Sequence, residues 1–294
     1  MTESIQSFLI EGFDQTKGIK SFGSSFESDL QKIISAQQNE KILQSEVITI
    51  DTTTITVDGE VKKVPCAVVY IGDCKGILPI VKADVRVDDD GVYNERDLRN
   101  LQGRTIAFVV ERYEYDEGSQ TCTFLADRLT ARQQMADLLF RKLEEGSHAI
   151  AVVHRVTETV VIADIGGVDV YMNARDIRYG WIDDLQKEVK VDDQLEVVIT
   201  KINAEKRKVE ASARLAQRNP WDSINKKYHR QKEYTATVSG VRHFGVFVRL
   251  EHGLDCLCPH LKFEALNVGD KVTVRLIRID QKEEKIDGKI VRVR

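Results

Sequence analysis

Residues 242–249 read Arg-His-Phe-Gly-Val-Phe-Val-Arg, so two aromatic rings, Phe244 and Phe247, stand three apart around Gly245 with Arg242, His243 and Arg249 beside them. Rings held in that way can stack on planar groups while the cations hold anions. The competing expectation is that one of the two phenylalanines turns into a core, where that residue usually sits. A second cluster, Cys256-x-Cys258-Pro259-His260, invites a zinc site. Zinc wants four ligands, usually as two separated pairs, and the other cysteines (Cys66, Cys74, Cys122) lie far back in the chain. Alternating cysteines fit one face of a strand, so they are expected as small buried hydrophobes and no metal is expected. The carboxylate groups 88–90, 183–184, 192–193 and 283–284 are adjacent in turn-like stretches, not set apart to flank a substrate. No phosphate-binding loop, nucleophile elbow or HExxH helix is present. The chain is therefore expected to be no enzyme and to need no cofactor.

The elements that must position these residues are short. Gly, Asp and Asn punctuate Val- and Ile-rich runs such as 47–50, 64–71, 150–156, 160–165, 195–202, 272–279 and 290–293. Closely spaced short strands with turns between them imply barrels or sandwiches. Helical spacing occurs between the groups. Phe26, Leu30, Ile33 and Ile34 recur at i, i+4, i+7, i+8 over 26–38, with Ser24 and Glu27 at capping-box spacing. Over 131–145, Met135, Leu138, Leu139 and Leu143 predict one apolar face, and Thr130 with Gln133 predict another capping box. A third short helix follows Pro220 through Trp221, Ile224 and Tyr228.

The strand groups look like one unit used three times. Each has a turn into a short apolar segment (75–79, 168–173, 254–259), then a pair of strands: 105–113 with 121–125, 195–202 with 208–213, and 271–279 with 285–293. Five strands in such a span match the small Greek-key barrel of the OB fold. The expected organisation is an N-terminal leader and helix over 1–40, a divergent barrel over 41–128, a helical linker over 129–145, a barrel over 146–213, a helical linker over 214–231 and a barrel over 232–294. The fold class is mainly β: tandem five-stranded OB barrels joined by helical linkers.

Composition bounds the function classes. The chain has 294 residues, 42% hydrophobic and 31% charged, enough for real cores. No apolar run approaches the ~20 residues of a membrane span, and residues 1–13 lack the features of a secretory signal. Five scattered cysteines suit a reducing compartment, so a cytoplasmic location is expected. The net charge of −4 hides a polarity: residues 214–294 hold 17 Lys and Arg against 10 Asp and Glu, while residues 1–213 hold 26 against 37. The basic end suits a polyanion, although charge alone fits a solvated surface equally well.

Residues 234–248, Tyr-Thr-Ala-Thr-Val-Ser-Gly-Val-Arg-His-Phe-Gly-Val-Phe-Val, resemble the opening of an S1-type RNA-binding domain, and residues 269–280 resemble that family's fourth strand. Residues 164–169 (Asp-Ile-Gly-Gly-Val-Asp) fit the same frame, and Pro220-Trp221 with Ile224 and Tyr228 resemble the connectors between such domains in the ribosomal small-subunit S1 family. The resemblance covers 146–294 well and 41–128 more weakly, where an extended turn at 88–91 interrupts it. It implies binding of single-stranded RNA, with mRNA in translation as the natural setting. Phe244 and Phe247 would stack on bases, with Arg242, His243, Arg249, His260 and Lys285 as polar and cationic contacts. The family often has histidine where this chain has Pro259, and also proline, which leaves His260 beside that position. The middle unit has Thr159 and Ile162 at the aromatic positions and Asn173 at the histidine position, and the first has no Phe-Gly-x-Phe equivalent. Those two units look better suited to protein contact. The N-terminal stretch, with Phe8, Leu9, Phe13, Ile19 and Phe22, is expected to dock on a partner, and the resemblance implies the small ribosomal subunit. The alternatives are a protein-interaction scaffold in a phage or mobile-element particle and an accessory factor that delivers RNA to a nuclease.

Overall fold

A computed structural model describes residues 8–12, 26–57, 60–262 and 264–294. Helix α1 (Phe26–Gln38) precedes the first strand group: β1 (Leu43–Val57), β2 (Glu60–Ile71), β3 (Cys74–Pro79), β4 (Thr105–Asp116) and β5 (Thr121–Asp127). Helix α2 (Glu95–Arg99) lies between β3 and β4. The strands close into a barrel in the order β1-β2-β3-β5-β4, with β3 and β5 parallel and the other pairs antiparallel. That order, closed by a parallel third–fifth strand pair, is the OB topology. Alternation along β5 sends Cys122, Phe124 and Ala126 inward, where Phe124 stacks on Phe108 at 5.7 Å between centroids. Gly76 of β3 makes room for that ring, since a Cβ there would lie 2.4 Å from it.

Helix α3 (Arg128–Lys142) connects to the second group: β6 (His148–Val156), β7 (Val160–Ile165), β8 (Val168–Asn173), β9 (Gln194–Asn203) and β10 (Lys208–Ser212). Their order, β10-β9-β6-β7-β8, matches the first barrel, but no ladder bonds close the seam between β8 and β10. Between β8 and β9 lie α4 (Ala174–Ile177) and α5 (Leu185–Glu188). The third group, β11 (Glu233–Arg242), β12 (Gly245–Glu251), β13 (Leu254–Cys258), β14 (Lys271–Asp280) and β15 (Lys285–Val293), again closes as β11-β12-β13-β15-β14. Mainly β architecture with five-stranded OB barrels is what the strand spacing predicts.

The second helix departs from its expected start. The Asp127 side chain, not Thr130, caps α3 by accepting from the Thr130 backbone N–H at 2.8 Å, because the carboxylate at the end of β5 reaches the first free amides. Its buried face is Ala131, Met135, Ala136 and Leu139, and Leu138 is exposed. The connector before β11 belongs to the third core: Pro220–Ser223 form a 3-10 turn capped by Asn219, and both Trp221 and Ile224 are buried there.

Residues 8–12 dock on the chain itself. Phe8 packs on the second core, and the Ile10 carbonyl accepts from Gln44 Nε2 at 3.0 Å. Glu11 is buried between α3 and β4, taking Ala107 N–H at 3.0 Å, Arg128 Nε at 2.8 Å and Arg132 Nη1 at 3.1 Å. Arg132 also reaches Asp164 at 3.2 Å and Asp169 at 2.9 Å, so one guanidinium joins the N-terminal segment, α3 and the second unit. Phe13, Ile19 and Phe22, the other apolar residues of the expected anchor, and the Ser24 end of its capping box lie outside the described residues.

Candidate nucleic-acid interface

The third barrel presents its outward residues around the β11–β12 turn. Gly240 of β11 pairs with Phe247 of β12 just after a β-bulge, and Arg242 pairs with Gly245 to close the turn that carries His243 and Phe244. A bulge sharpens local twist and re-aims side chains. Phe244 projects from this turn with 54% of its surface exposed. Its ring meets His243 edge-on at 5.0 Å and Phe247 edge-on at 5.9 Å.

Phe247 is not an open platform. The indole of Trp181, from the segment between α4 and α5, lies flat on it at 4.1 Å with 9° between the planes. The cations are engaged as well. Arg242 ion-pairs with Asp183, and Arg249 Nε lies 3.7 Å from Asp255 Oδ1. His260 Nε2 donates to the Arg242 carbonyl at 2.7 Å, which holds the imidazole at the rim. Lys285 begins β15 with its Nζ 3.4 Å from Glu283. Thus Arg242, His243, Phe244, Phe247, Arg249 and His260 are joined through Trp181 and the turn backbone, whereas Lys285 is paired locally.

The same register identifies the corresponding positions elsewhere. Bulges follow Val47 in β1 and Val153 in β6, which sets Val68 and Ile162 where β12 has Phe247. Thr159 and Pro65 then stand where Phe244 does. Val68 is buried, so the first barrel offers no ring at that place. The second unit does carry an exposed aromatic residue, Tyr171, directly across from Ile162 on β8. Cys256 and Cys258 both point into the third core with 3.9 Å between their sulfurs, and their hydrogen bond and burial hold the Cys256 thiol well above its ordinary pKa. They pack as small hydrophobes.

Trp181 and Asp183 are the partners that sequence reasoning missed. The signal available was modest: a tryptophan after Gly180 in a turn-rich stretch, in a chain with two tryptophans.

No family model matches the chain. The small ribosomal subunit protein bS1 of Pseudomonas aeruginosa is 23% identical over 228 residues, covering 74% of this chain and 40% of that protein. The units are S1-type OB folds. The chain is also similar to a protein named 4-hydroxy-3-methylbut-2-enyl diphosphate reductase from Clostridium acetobutylicum, 26% identical over 208 residues, which covers 66% of this chain and 32% of that protein. The chain thus spans about a third to two fifths of these relatives' lengths. Among solved structures, a multidomain protein with nucleic acid binding domains from Streptococcus pneumoniae is 12% identical, over 85% of this chain and 73% of that one, with a TM-score of 0.19. Among the described residues, no helix is long and apolar enough to cross a membrane.

Proposed function

We propose that the chain binds single-stranded RNA through the outer face of its third S1-type barrel, with the β11–β12 turn as the reading element. The observation that carries this reading is the exposed Phe244 ring, set beside His243 on a face that also bears Arg242 and Arg249. Unpaired bases stack on aromatic faces, and guanidinium groups follow the phosphates. The relatives named as a small ribosomal subunit protein support mRNA in translation as the setting and the small ribosomal subunit as the assembly, in the cytoplasm. Within the N-terminal region, Phe8–Gly12 already engage the chain's own body, so attachment to that subunit would use the remaining residues. In this reading the chain binds and does not catalyse.

Fluorescence anisotropy with labelled single-stranded RNA, repeated over a salt series with duplex RNA as the control, tests the proposal. Single strands should bind preferentially. With two or three phosphates neutralised, log K should fall against log salt with a slope of about −1.5 to −2, at ~0.7 per contact. Equal affinity for duplex, or binding indifferent to salt, would contradict it.

A further inference from the structure

We propose that residues 178–183 of the second unit are a built-in ligand of the third barrel's face: Trp181 occupies the seat of a base and Asp183 that of a phosphate, so RNA must displace them. This rests on the RNA-binding reading above and adds a control to it. The segment is anchored, not merely adjacent. Tyr179 is buried in the third core, and Trp181 N–H donates to Asp255 Oδ2 at 2.6 Å while Ser239 Oγ donates to Asp255 Oδ1 at 2.6 Å. Arg178 Nη2 holds the Trp181 carbonyl at 3.0 Å and Glu188 Oε1 at 2.7 Å.

Two glycines admit the segment. Gly180 has φ of +85°, and a Cβ there would lie 2.5 Å from Asp255 Oδ2. At Gly240, the partner of Phe247, a Cβ would lie 2.8 Å from Trp181 Nε1. The indole enters through the space left by that missing side chain.

What the segment does on arrival has the form of nucleotide recognition. A planar heteroaromatic ring lies parallel to Phe247 at 4.1 Å. The Arg242 guanidinium stands over the indole at 5.8 Å and pairs with the Asp183 carboxylate two residues on. A ring stacked on phenylalanine with an anion on arginine is the pair of contacts that a single-stranded nucleotide makes. Phe244 and His243 stay exposed beside the occupied seat, so an incoming strand has a first foothold before the indole leaves.

The test compares the full chain with Trp181→Ala and Asp183→Asn, using a labelled single-stranded RNA of about 12 nucleotides, within the span one OB barrel covers. Trp181→Ala should bind about tenfold more tightly, the scale of one aromatic stack released. Asp183→Asn should bind severalfold more tightly, whereas Glu205→Gln, the same charge change on an exposed turn of the second unit, should change affinity little. Unchanged binding by Trp181→Ala, with measurable binding by the parent chain, overturns the plug; weaker binding overturns it too and makes the indole part of the platform. Absence of binding by the parent and both face variants overturns the RNA reading itself, and the plug with it. Acrylamide quenching gives a readout that does not depend on a substitution. Trp221 is buried in the third core, so the change on adding RNA reports Trp181. Quenching should rise as RNA binds; a fall would mean that a base covers the ring in place, against the proposal.

Discussion

Glu11→Gln should lower the stability of the folded chain by about 3 kcal/mol, although the residue lies outside the strand groups. Its carboxylate is buried, held by a backbone N–H of β4 and by two guanidinium groups of α3. Burial alone would raise its pKa, but Arg128 and Arg132 bring it from the ordinary 4.5 down to about 2. A difference of that size corresponds to about 3 kcal/mol of preference for the charged form. Breaking a buried pair on one side costs ~3–5 kcal/mol, because the other charge stays buried without its partner. With a folded pKa below the unfolded one, Glu11 contributes its full stabilisation above about pH 4.5 and loses it as pH falls toward 2. His154, whose pKa burial lowers, adds to the loss on acidification, since it is neutral in the fold and must charge. Asp164 acts in the opposite sense: burial raises its carboxyl, so its protonation at low pH relieves a cost. Urea unfolding at pH 7 and pH 3.5 checks both points. The variant should unfold at clearly lower urea at pH 7, and its disadvantage should shrink at pH 3.5. An unchanged midpoint at pH 7 would show that the clamp between Phe8–Gly12 and α3 carries little stability.

Phe244→Ala should weaken single-stranded RNA binding by about 5- to 150-fold while leaving thermal unfolding nearly unchanged. The two effects separate because the ring is exposed: it contributes to binding without filling the third core. Stacking of a base on an aromatic side chain is worth ~1–3 kcal/mol, which gives that range. Phe244→Tyr should retain most of the affinity, since the face of the ring and not its edge does the stacking. An alanine variant that binds as tightly as the parent would remove the β11–β12 turn as the reader.

Much of the architecture was legible because its signals are local. Helix α1 follows from the spacing of Phe26, Leu30 and Ile33, and the paired strands follow from apolar runs separated by turns. The resemblance implied that both Phe244 and Phe247 serve as open platforms, and Phe244 alone stands exposed. What escaped was long-range. Asp255 takes its bond from Trp181 across 74 residues, and Glu11 meets Arg128 across 117, so no window of sequence joins them. The start of α3 was missed for a nearer reason: Asp127 ends a strand and caps the following helix at once, while Thr130 offers a plausible cap three residues later. Phe247 fell between the two expectations. It faces away from the core, yet the face of its ring is taken by a residue from another unit.

The most direct measurement is photo-crosslinking of the intact chain to single-stranded RNA containing 4-thiouridine, with the crosslinked residues located by mass spectrometry. Crosslinks should fall on the β11–β12 turn, at Phe244 and His243 first, with Phe247 joining as Trp181 is displaced. Crosslinks confined to the first or second unit, with the turn untouched, would contradict it.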